Sequence, residues 1–111
     1  MTKCQRNNNP LNLRFANQKE STGADEDGFA VFPTAPAGWR AAVRQIKLDQ
    51  GRGLTIRQFL WKFAPPSEND SLNYLNFMLK ELSYVGDDLL EIVSPYALAG
   101  VMAKMEGYFN E

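Results

Sequence analysis

The chain has 111 residues, 44% hydrophobic and 12% aromatic, enough to bury about 60% of its unfolded surface, which excludes wholesale disorder. Its 12 basic and 13 acidic residues leave a net charge of −1, with no like-charged block long enough to steer nucleic acid or an anionic surface. Histidine is absent, which removes Ser-His and Cys-His nucleophile pairs and the usual His-bearing zinc sites, so carboxylates remain as the acid–base groups.

Residues 1–7 are polar and are expected to form an N-terminal arm of a single domain spanning 1–111. Cys4 is the single cysteine, so no intramolecular disulfide is expected. The start lacks the apolar stretch of a secretory signal, and no apolar run approaches the roughly 20 residues of a membrane span. The expectation is a soluble protein made in a bacterial cytoplasm, without membrane insertion, cofactor or metal.

After Pro10, the alternation Leu11-Asn12-Leu13-Arg14-Phe15 predicts a short strand. Asn17 to Gly28 reads as a loop, and Phe29 to Phe32 as a second β-like run that makes a small hairpin with the first. The period then changes. Thr34 caps a helix carrying Trp39, Ala42, Val43, Ile46 and Leu48, with Pro36 in its first turn and Gly51 and Gly53 breaking it. Thr55 caps a shorter helix with Ile56, Phe59, Leu60 and Phe63 on one face, stopped at Ala64-Pro65-Pro66. One of Asn69, Asp70 or Ser71 caps the next helix, which carries Leu72, Leu75, Leu79 and Leu82, widened by Tyr74, Phe77, Met78 and Val85 and ended by Gly86. Pro95 starts the last helix. The expected fold is α+β and mostly helical: four or so helices with a small N-terminal β-hairpin.

The last helix holds the sharpest chemical candidate. Leu98, Val101, Met102, Met105 and Phe109 form an apolar stripe, and Glu106 lies along its edge. A carboxylate there also meets the negative end of the helix dipole, a cost of about 0.3–1 kcal/mol. Both effects raise a carboxyl pKa, as a general acid requires, although a solvated Glu near a fraying terminus fits the same position. In Asn8-Asn9-Pro10-Leu11-Asn12-Leu13-Arg14 the amides suit sugar hydroxyls and N-acetyl groups, or equally a tight turn. Trp39 can line a cleft or fill the core. The acidic Asp25-Glu26-Asp27 run and the Pro65-Pro66-Ser67-Glu68-Asn69 stretch read as turns.

The order Asn-Asn-Pro-x-Asn-Leu-Arg (8–14), Gly-Phe-x-x-Phe (28–32), Gly-Trp-Arg-Ala (38–41), Ala-Pro-Pro-x-Glu-Asn (64–69) and Glu106-Gly107 resembles small phage virion structural proteins, which also occur as prophage genes. Many of these end in His-Glu-Asn-Gly, whereas this chain has Met105-Glu106-Gly107-Tyr108. The Glu-Gly helix and the Asn-rich stretch are also similar to elements of lysozyme-like peptidoglycan hydrolases, in rearranged order. That resemblance implies Glu106 as the catalytic acid of a muramidase or lytic transglycosylase. Asn9, Asn12 and Arg14 would hold the sugar, with Trp39 and Asn69 as further binding residues. One of Asp25, Glu26 or Asp27 would be the second carboxylate. The alternative is a non-catalytic virion structural or cell-envelope-binding domain. Partners would be peptidoglycan or other virion proteins, not nucleic acid, and the place of action a virion or cell envelope.

Overall fold

Thr2 accepts the Gln5 backbone N–H while the Gln5 side chain takes the Thr2 N–H at 2.7 Å. This reciprocal cap turns Lys3–Arg6 into a one-turn helix, α1. The computed structural model describes residues 1–67 and 70–111. In it residues 1–7 are not a free arm. Cys4 is buried, and Gln5 Nε2 donates to the Tyr108 carbonyl at 2.9 Å, fastening one end of the chain to the other.

Leu11–Phe15 does not become the expected strand. Asn12 adopts a left-handed φ of 51°, and Asn9 Oδ1 takes the Leu13 N–H, while the Leu13 C=O is shared between Asn9 Nδ2 and the Ala30 N–H. What survives is an isolated bridge between Arg14 and Phe29. The hairpin forms instead from β1 (Gly23–Ala24) and β2 (Ala30–Val31), antiparallel, with Gly23 opposite Val31 and Ala24 opposite Ala30. So β1 lies inside the segment expected to be loop.

The helices follow their caps. α2 runs Ala35–Gln50 from a Thr34 cap, and α3 runs Ile56–Phe63 from a Thr55–Gln58 capping box. α4 (Ser71–Leu82) is capped by Asp70. It ends at Ser83, whose φ of 61° supplies the left-handed cap before Gly86 is reached. A 3-10 turn at Leu90–Ile92 leads to α5, Pro95–Glu106, capped by Ser94 and closed by Gly107 at φ 90°. Among the described residues this makes five α-helices and one hairpin, an α+β architecture that is mostly helical.

α5 is the element the others cover. Its Leu98, Ala99, Val101, Met102 and Ala103 are buried against α2 and α4. Alanines at 41 and 42 on α2 and at 99 and 103 on α5 leave room for close backbone approach. Several expected core positions fall outside. Leu48, Leu72 and Val85 are exposed, and Phe109 lies past the end of α5, 56% exposed and tilted against Trp39. The buried stripe of α5 therefore ends at half-buried Met105. Among the described residues no helix is long and apolar enough to cross a membrane.

Candidate functional site

The site begins with the Asn-rich turn, whose amides divide into two kinds. Asn9 is fully buried; its Nδ2 donates to the carbonyls of Leu13 at 3.0 Å and Ala30 at 2.9 Å, and its Oδ1 accepts the Leu13 N–H at 3.0 Å. Every polar atom of that side chain is satisfied within the fold. Asn9 is thus a strut, which corrects the expectation that it faces a sugar. Asn12 points the other way. Its Nδ2 donates to Glu106 Oε1 at 2.9 Å, joining residues 94 positions apart, while its Oδ1 is buried without a partner among the described residues.

Glu106 is the last residue of α5, half-buried, just before the left-handed exit that Gly107 permits. Burial pushes its carboxyl above the usual range, against the opposing pull of hydrogen bonds from Asn12 and Tyr74. Burial, and then the Glu106 charge, push the Tyr74 phenol far above its ordinary value, so it remains a donor. Tyr74 comes from α4, where its spacing reads only as one more apolar contact.

Asn12 and Glu106 lie on a cleft of about 580 Å³ whose walls also include Arg14, Phe29, Asp49 and Lys62, with Tyr74 buried behind it. The Arg14 guanidinium lies 4.4 Å from the Phe29 ring centre and donates to the Asp27 carbonyl at 3.1 Å, so it is held in place on the wall. Asp49, 2% exposed, accepts from Lys62 Nζ at 2.9 Å, from Gln45 Nε2 at 3.1 Å and from Arg52. Burial alone would raise its carboxyl pKa. The bonds from Lys62 and Gln45, the Lys62 charge and the Arg52 bond overcome this and hold it below the usual range.

Asp49 and Lys62 are site-wall residues that sequence reasoning missed. The spacing Gln45-Asp49-Arg52 at i, i+4 and i+7 is a visible signal of a local cluster, but Lys62 arrives from a different helix. With its folded pKa depressed, Asp49 adds stability that is present above its unfolded value of 3.8 and lost as pH falls through the folded one. Asp49→Ala is expected to cost about 1–2 kcal/mol at pH 7. The figure is no larger because Lys62 and Arg52 are half exposed and can turn to water. Urea unfolding at pH 7 and pH 3 checks this, since the difference should shrink at the lower pH.

The remaining expected site residues do not join the cleft. Asp25 organises its own loop, accepting from Asn7 Nδ2 and from the N–H groups of Asp27 and Phe29, each at 2.9 Å. The Asn7 bond leads in holding the Asp25 carboxyl below its ordinary value, and the Phe29 N–H follows. Asp27 pairs with Lys3 at 2.8 Å, and Glu26 is exposed. None of the three lines the cleft, so this run does not supply it with a second carboxylate. Trp39 lies on another face of α2, in a separate groove. Asn69 lies outside the described residues, as does Glu68.

No family model matches the chain. Among curated proteins it is 30% identical over 116 residues to "Protein P5" of Pseudoalteromonas phage PM2, an alignment that covers 95% of this chain and 71% of that protein.

Proposed function

The chain belongs to the family of Protein P5 of Pseudoalteromonas phage PM2, and from that premise we propose a virion-associated domain whose Asn12–Glu106 cleft cleaves the glycan strands of peptidoglycan. The observation that carries the reading is a carboxyl group with a raised pKa on the wall of a polar cleft, aimed by an amide from the opposite end of the chain. A protonated Glu106 would give its proton to the glycosidic oxygen as the C1–O bond breaks. The resulting carboxylate would then take the proton of the sugar's own 6-hydroxyl as that oxygen closes on C1. This lytic route needs one carboxyl group. Hydrolysis needs a second for water or for a covalent intermediate. Asp49, the other carboxylate of the cleft wall, is engaged by Lys62, Gln45 and Arg52 and is a poor candidate for that part.

A second reading is supported by the same hydrogen bond. The bond from Asn12 Nδ2 to Glu106 Oε1 at 2.9 Å also fits a clasp that fastens the N-terminal turn to α5, as part of a virion scaffold. The orphaned Asn12 Oδ1 argues against a pure clasp. An unpaired buried acceptor costs about 1–3 kcal/mol, and Asn9 close by is fully satisfied. Incubation with purified sacculi between pH 5 and 8, followed by mass spectrometry of the soluble fragments, separates the readings. Anhydro-ended muropeptides are expected. New reducing ends would mean hydrolysis, and no fragments at all would leave the scaffold.

A further inference from the structure

On the side of α2 away from the cleft, Arg40, Arg44 and Lys47 recur at i, i+4 and i+7 and so share one face of the helix. They border a groove of about 560 Å³ between α2 and α5, floored by Val43 and Ala99 and ended by Trp39 and Tyr96. Among the described residues no acidic side chain lines it. In a chain whose overall charge is −1, this is a local concentration of positive charge, not a general one.

The cations are not equally engaged. Arg40 is held by Glu20 through two bonds of 2.6 and 2.8 Å. Lys47 lies 5.4 Å from the centre of the Tyr96 ring. Arg44 feels Glu20 but makes no ion pair among the described residues. Tyr96 is 66% exposed, far more than an aromatic serving the core. Trp39 is set in place by edge-on contact with Tyr108 at 5.3 Å and by Phe109 at 6.2 Å.

Concavity, two aromatic rings, an apolar floor and carboxylate-matching cations describe a ligand with a sugar-like body and acidic groups on one side. A bilayer would need a protruding surface. Nucleic acid would need a longer basic track. We propose that this groove binds the anionic muramyl-peptide unit of peptidoglycan, with the sugar against Trp39 and Tyr96 and the stem-peptide carboxylates on Arg44 and Lys47. The choice of occupant rests on the peptidoglycan reading, but the binding event is independent of cleavage.

The test uses the full chain carrying Glu106→Gln, so that cleavage cannot consume the probe, and a purified disaccharide-tetrapeptide muropeptide. Chitotriose serves as the neutral sugar control and triglutamate as the acidic peptide control. NMR titration should shift the Trp39 indole and Tyr96 ring signals with the muropeptide and with neither control at equal concentration. Arg44→Glu and Lys47→Glu should each weaken binding by about tenfold or more, with Arg44→Gln as a milder variant should a charge reversal disturb the fold. Equal shifts with triglutamate would overturn the proposal in favour of an acidic protein partner. No shift at millimolar muropeptide would also overturn it, whatever the wild type does to sacculi. Retained binding with no cleavage by the wild type would remove the enzymatic reading and leave this one standing.

Discussion

Glu106→Gln is expected to lower muropeptide release by about a hundredfold or more, the low end of what a positioned general acid contributes. The fold should survive. Glutamine is nearly isosteric, and its Oε1 still accepts from Asn12 Nδ2, the bond now 2.9 Å long. What changes is the charge, and its effect on stability has a definite sign. Because the folded carboxyl pKa is raised, its contribution is fully present below the unfolded value of 4.5 and is lost as pH rises through the folded value. A glutamine does not titrate. The variant should therefore match the wild type near pH 4 and equal or exceed it at pH 7, as read from urea midpoints. A midpoint well below wild type at pH 7 would show that the ionised carboxylate stabilises the fold, which supports the clasp and not the acid. Undiminished cleavage by the variant would remove Glu106 from the chemistry altogether.

How far such a site can be read from sequence depends on whether its partners are local. The helices were legible because their start signals lie within one turn: Thr34 with Pro36, Thr55 with Gln58, and Pro95 after Ser94. The position of Glu106 was legible for the same reason, since a stripe and a helix end are both local patterns. The meeting of Asn12 with Glu106, 94 positions apart, follows from no local pattern, and only the resemblance that put both in one sugar site implied it. Tyr74 and Lys62 carried no signal, because a tyrosine on an apolar face and a lysine in a last turn have ordinary local explanations. The Leu11–Phe15 strand failed where a single side chain outbid the alternation. Asn9 Oδ1 captured the Leu13 N–H, and Asn12 took a left-handed turn that no pattern of apolar residues records. The α1 cap between Thr2 and Gln5 was present in the sequence. One turn of helix, however, is too short to show a period.

Gly38→Ala is the substitution expected to damage the fold most, at about 3 kcal/mol or more. Glycine in a helix interior is normally worse than alanine by about 0.8–1.0 kcal/mol, so propensity alone predicts a gain. At residue 38 the space is already taken. A Cβ there would overlap the Asn8 carbonyl oxygen outright and lie 2.9 Å from its carbon and 3.1 Å from Pro10 Cδ. The obstacle is backbone, and it cannot swing aside. Asn8 Nδ2 is bonded to the Phe32 carbonyl at 3.1 Å, the Phe32 N–H to the Asn7 carbonyl at 2.9 Å, and the Asn9 N–H to the Cys4 carbonyl at 2.9 Å. Relieving the overlap means lifting the Asn7–Asn12 turn off α2, which breaks the buried Asn9 network and draws Asn12 away from Glu106. Gly100 is the internal control, a helical glycine in α5 whose would-be Cβ meets, among the described residues and beyond the backbone of its own helix turn, no heavy atom within 4 Å. Gly100→Ala should therefore be neutral or stabilising by up to about 1 kcal/mol. Thermal or urea unfolding of the two variants side by side should give shifts of opposite sign. If Gly38→Ala unfolds with Gly100→Ala at or above the wild-type midpoint, the close seating of the Asn-rich turn on α2 is wrong, and the geometry that delivers Asn12 to the cleft falls with it.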